Sequence, residues 1–125
     1  MTYEVGLSRN VRASHIMPGL PGPEGQLHQH DYRIEIVVKR EQLDGKGMVC
    51  DLDVLGAALS QLISRIDGRN LEEIRPAGAA AVTVEVFARW VHDTMAPALA
   101  GSSPDLLAVR IWENPAAFGG YRAPC

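Results

Sequence analysis

From His28 to Val38 the chain reads HQHDYRIEIVV, and His28, His30, Tyr32, Ile34, Ile36 and Val38 occupy every second place in it. Asp31, Arg33, Glu35 and Lys39 fill the alternate places. Successive side chains of a β-strand point to opposite faces, so this run predicts a half-buried antiparallel strand with one apolar and one polar face. Two imidazoles head the apolar face, and polar groups on a covered face need a partner.

The same periodicity places the other elements. Tyr3, Val5, Leu7, Val11, Ala13 and His15 share one parity, which predicts a first strand over residues 3–15, interrupted around Arg9 and Asn10. The stretch MPGLPGPEG, Met17 to Gly25, is dense in proline and glycine and predicts an irregular loop. After a turn at Asp44, Gly45 and Gly47, Asp51 can cap a helix with Leu52, Leu55, Leu59, Leu62, Ile63 and Ile66 at helical spacing. Gly68 is its natural stop. Thr83 opens a second helix with Val86, Phe87, Trp90, Val91 and Met95 inward, and the segment from Pro97 to Pro104 ends it. LLAVRIWEN supplies a third strand and residues 118–122 a short fourth, giving an α+β order ββααββ with two helices on one face of an antiparallel sheet.

The chain's 125 residues predict one domain, 1–125. A net charge of −3 with scattered arginines offers no basic stripe for a phosphate backbone, which argues against nucleic acid as a partner. No run approaches the ~20 apolar residues of a membrane span, and MTYEVGLSRN lacks the parts of a signal peptide. A cytoplasmic protein is expected. Cys50 and Cys125 are too few for a disulfide framework and lack metal-type spacing; Cys50 reads as a small buried residue beside a helix start, and Cys125 as a frayed terminus.

A catalytic zinc commonly keeps three protein ligands and one open position. His15 at the end of the first strand can stand beside His28 and His30 at the head of the second if the loop between them folds back. The pattern H-x-H taken alone equally fits two polar residues on an edge strand. His92, next to Asp93, reads as a solvated helix residue rather than a fourth ligand.

Five segments in order resemble the 6-pyruvoyl-tetrahydropterin synthase and 6-carboxy-tetrahydropterin synthase family across nearly the whole chain. ASH at 13–15 looks like the first zinc histidine of that family, and LHQHDY at 27–32 like its L-H-G-H-N-Y. GMVCDLDVL at 47–55 is similar to its G-M-V-x-D-F, VTVEVFARWV to its T-x-E helix opening, and VRIWEN to the strand whose glutamate holds the pterin. The resemblance implies the tunnelling fold, in which ββααββ units assemble into an oligomeric barrel, usually a homohexamer, with active sites at subunit interfaces. Assembly of that kind would also hide the sheet edges. It further implies that His15, His28 and His30 bind Zn2+ and that Glu113 accepts hydrogen bonds from the amino-pyrimidine edge of a pterin-like substrate. Without the resemblance, Glu113 reads as an exposed strand end. Thr83 and Glu85 either line that pocket or simply cap the second helix.

The chain also departs from the family pattern. The family's cysteine, four residues before the first histidine of H-G-H, is replaced by Glu24. A subset of the family carries glutamate there and is associated with cleavage of the dihydroneopterin side chain, and a carboxylate can serve as the base. The family's L-D-H after the first helix appears as Ile66, Asp67 and Gly68, so Asp67 remains without its histidine. Gln29 replaces the glycine between the metal histidines, and Asp31 an asparagine. The resemblance therefore implies a zinc-dependent lyase acting on a dihydropterin side chain, with Glu24 and Asp67 as the catalytic carboxylates. The alternatives are a family member recruited to a non-pterin small molecule, by cyclisation, elimination or retro-aldol chemistry, or a non-catalytic binding protein. Scarce lysine and the acidic balance favour a substrate without a triphosphate.

Overall fold

The protein, described over residues 1–125 by a computed structural model, builds its sheet from the predicted alternation. Strands β1 (Tyr3–His15), β2 (His28–Arg40), β3 (Leu106–Asn114) and β4 (Ala117–Pro124) form one antiparallel sheet in the order β1-β2-β3-β4. Helices α1 (Leu52–Ile66) and α2 (Val84–Met95) lie between β2 and β3 in sequence, which gives the order ββααββ. No helix is long and apolar enough to cross a membrane.

The caps fall where the sequence placed them. Asp51 accepts the Asp53 N–H at 2.9 Å to start α1, and Thr83 Oγ1 accepts the Val86 N–H at 3.1 Å to start α2. Helix α1 ends in a tight turn: Asp67 has φ −61° and ψ 126°, Gly68 has φ 73°, and the Arg69 N–H donates to Ile66 O at 3.0 Å. Only glycine adopts that positive φ without strain, so Gly68 is fixed by the turn.

The core lies between the helices and the inner face of the sheet. Ile34, Ile36 and Val38 of β2 and Leu107, Val109 and Ile111 of β3 are buried against Leu55, Leu59 and Leu62 of α1 and Phe87, Val91 and Met95 of α2. The outer face is polar and laced by cross-strand contacts, among them Arg12 with Asp31 at 2.8 Å and the Arg33 guanidinium 4.9 Å from the Trp112 ring.

Two expectations need correction. β1 is continuous, because Arg9 and Asn10 pair with Ile34 and Arg33 of β2. Backbone pairing carries the strand through two residues that break its apolar pattern. His92 is buried, not solvated: its ring packs edge-on against Tyr121 of β4, centroids 5.0 Å apart, and its Nε2 lies 3.3 Å from Ala123 O. The face of α2 that turns toward the sheet is centred on Phe87, Ala88, Val91, His92 and Met95, with Val86 and Trp90 half-buried at its margin.

Candidate metal centre

Register brings the histidines together. In the β1–β2 ladder His15 lies directly opposite His28, while His30 is opposite Ala13. All three side chains leave the sheet on its inner face, with ring centroids 4.5 Å apart for His15 and His28, 5.1 Å for His15 and His30, and 4.8 Å for His28 and His30. One ring nitrogen from each lies within 4.8 Å of the others, a set that can hold a metal ion.

Backbone carbonyls orient two of the rings. His15 Nδ1 is 3.2 Å from Val82 O, just before α2, and His28 Nδ1 is 2.7 Å from Gln26 O. Each Nδ1–H therefore donates to a carbonyl and leaves an Nε2 lone pair aimed at the cluster, the arrangement that metal-bound histidines use to fix their tautomer. The Nε2 atoms of His28 and His30 sit 3.0 Å apart, and His15 Nε2 is buried with no partner. Lone pairs converging on one point repel unless a proton or a cation lies between them. The donor set, three imidazole nitrogens from two paired strands, fits zinc. Burial first, then the neighbouring His28 and His30, pushes the His15 pKa below its ordinary value, so its neutral, ligating form is favoured.

The other site residues gather at the same end of the sheet to different degrees. Glu113 is the extra residue of a bulge in β3, where Trp112 pairs with Phe118 and Asn114 with Ala117. Its charge is close enough to oppose slightly the lowering of the His15 pKa and to help burial hold the Tyr32 phenol far above its usual range. Its carboxylate belongs to none of the chain's ion pairs. Thr83 is the α2 cap and Glu85 stands exposed in the first turn, with Val84 and Glu85 packed on Gly119. A Cβ at Gly119 would fall 2.4 Å from Val84 Cγ2, so only glycine lets α2 approach the sheet this closely beside the site.

Glu24 sits in the short 3-10 turn Pro23–Gly25, exposed and outside every ion pair. The Met17 N–H donates to Glu24 O at 2.8 Å, which closes the loop on itself. Glu24 is thereby tethered to the ends of β1 and β2 from which the histidines project. Asp67 is otherwise engaged: its Oδ1 accepts the Arg12 N–H at 3.1 Å, and with Arg69 O, which accepts the Ser14 N–H at 2.9 Å, it covers part of the outer edge of β1. It lines a cleft of about 900 Å³ with Arg12, Asp31, Arg33 and Trp112, apart from the histidines. The cleft's size does not make it the chemical centre, since Arg12 and Asp31 are spent on each other, Arg33 lies over the Trp112 ring and Asp67 holds Arg12 N.

Sequence reasoning missed the carbonyls of Gln26 and Val82 as orienting groups, and no side-chain signal points to them. It also passed over Tyr32 as a site residue, although Tyr32 follows the histidines on the same face and its ring lies 5.4 Å from that of His30.

The chain resembles solved structures along its whole length. It superposes on the 6-pyruvoyl tetrahydropterin synthase of Plasmodium falciparum with a TM-score of 0.81 and 11% identity, covering 99% of each chain. The Caenorhabditis elegans enzyme gives a TM-score of 0.75 at 19% identity, covering 98% of this chain and 96% of that one. A Plasmodium vivax 6-pyruvoyltetrahydropterin synthase with a catalytic glutamate changed to alanine gives 0.72 at 13% identity, covering 100% and 99%. At such identities these likenesses establish the fold. No curated protein matches the chain. The family model described as 6-pyruvoyl tetrahydropterin synthase matches residues 4–124, and the chain belongs to that family.

Proposed function

We propose that the protein is a zinc-dependent lyase that cleaves the side chain of a dihydropterin, working as a homo-oligomer, a hexamer by family habit, in the cytoplasm. The observation that carries this reading is the histidine triad oriented by Val82 O and Gln26 O beside an unpaired Glu113. Zinc held by His15, His28 and His30 would supply polarisation of a substrate side-chain oxygen. Glu113 would anchor the substrate, because a carboxylate accepts two parallel N–H donors from an amino-pyrimidine edge. Thr83 and Glu85, at the α2 start over the same sheet end, would line the pocket.

Glu24 would move the proton. In dihydroneopterin it would take the proton of the 2′-hydroxyl as the C1′–C2′ bond breaks, and a proton returned to C1′ completes a hydroxymethyl-dihydropterin and glycolaldehyde. The Plasmodium vivax relative, whose catalytic residue is a glutamate, supports a carboxylate in this role. Asp67, which the resemblance implies as a second catalytic carboxylate, is spent on Arg12 N in the cleft apart from the histidines and would serve to hold the edge of β1. Its engagement with Arg12 N and the glycine beside it favour one other reading, a pterin-type site turned to a different small metabolite. The outer edge of β4, and the part of the β1 edge that Asp67 and Arg69 leave uncovered, support assembly with further copies.

The test is incubation of zinc-loaded protein with dihydroneopterin and with its triphosphate, followed by product analysis. Glycolaldehyde from dihydroneopterin is the expected product. Turnover of neither compound, with no binding of either, would exclude the pterin reading.

A further inference from the structure

We propose that the Tyr32 hydroxyl is a further substrate-contacting group of this site, donating a hydrogen bond to the substrate oxygen that lies between the histidines and Glu113. The inference rests on the reading of the site given above. Tyr32 follows His30 on the inner face of β2, and its ring is pinned on three sides: 5.3 Å from Phe87 and 5.4 Å from His30, with His15 at 6.2 Å. A buried phenol normally spends its hydroxyl on a partner within the protein. The hydrogen bonds around this ring link His15 to Val82 O, His28 to Gln26 O and His28 to His30, and none includes Tyr32 Oη. The side-chain atoms sealed from solvent without a partner are His15 Nε2, Glu72 Oε1 and Trp112 Nε1, and Tyr32 Oη is not among them.

Although Tyr32 is only 2% exposed, its unpartnered hydroxyl thus keeps the residue's remaining opening. The His30 and His15 rings pack beside the phenol, so the hydroxyl belongs to the end of the sheet that carries the histidines. A donor held there by packing costs no reorganisation when negative charge develops on a substrate oxygen. Phenylalanine would fill the core equally well, so packing alone gives no reason for the hydroxyl.

The test compares wild type with Tyr32→Phe, which preserves ring packing, both loaded with zinc. The expected result is a fall in kcat on dihydroneopterin of about 100-fold, with KM within about twofold and zinc stoichiometry unchanged. A second arm titrates acetohydroxamate, a small oxyanion ligand for zinc, by calorimetry, and a roughly tenfold weaker affinity in Tyr32→Phe is expected from the lost donor. This arm decides the matter if wild type turns over no pterin, so failure of the pterin reading is told apart from failure of this one. Equal hydroxamate affinity in the two proteins, or loss of zinc from Tyr32→Phe, overturns the proposal.

Discussion

The histidines and the carboxylates of this chain are positioned by different parts of the fold. His15, His28 and His30 project from two paired strands whose register sets them facing one another, and backbone carbonyls lock two of the rings. Glu24 rides on a short exposed turn, and Asp67 sits in the turn after α1 with its carboxylate already bonded to Arg12 N. A metal needs its ligands placed within tenths of an ångström, which rigid strands provide. A group on a turn can be exchanged without disturbing the metal, and Glu24 and Gly68 lie on such turns, whereas Gln29 and Asp31 lie within β2 itself.

The first way to break this comparison is His28→Ala. Loss of bound zinc with retained folding is expected, together with loss of all measurable turnover, read by metal analysis and circular dichroism. Retention of a full zinc equivalent would mean the strand register does not build the metal centre. Glu24→Gln sharpens the contrast from the other side: turnover should fall by roughly 10²- to 10⁴-fold, the usual worth of a general base, while zinc content and melting temperature stay as in wild type. Glu113→Ala should weaken dihydroneopterin binding by about 10- to 100-fold, as loss of hydrogen bonds to a charged group implies, again without loss of metal.

Smaller effects follow at the edge and in pH. Asp67→Ala removes the acceptor for Arg12 N and should cost about 1 kcal/mol in chemical denaturation. For metal-free protein, the depressed pKa of His15 sets a sign. Below its ordinary value of 6.5 the unfolded chain binds a proton that the folded chain resists, so stability should decline as pH falls from 6.5 toward the folded value. His15→Gln should flatten that decline in a melting series. An unchanged slope would remove burial as the reason for the shift.

Much of the fold is legible in the sequence because alternation and capping are local. The run from His28 to Val38 announces its two faces, and Asp51 and Thr83 mark the helix starts. What was not legible depends on partners distant in sequence. His92 is buried because Tyr121 and Ala123 arrive from β4, and β1 runs unbroken because β2 completes its ladder. The histidine cluster was readable as three residues on one face. The carbonyls that orient it were not, since every residue carries one.

The most direct test of the account is a zinc-edge anomalous diffraction map of the purified protein. The account predicts one peak per chain, about 2.0–2.1 Å from a ring nitrogen of each of His15, His28 and His30. A well-ordered map with metal bound elsewhere, or with the three rings hydrogen-bonded to one another after zinc has been supplied, would contradict it.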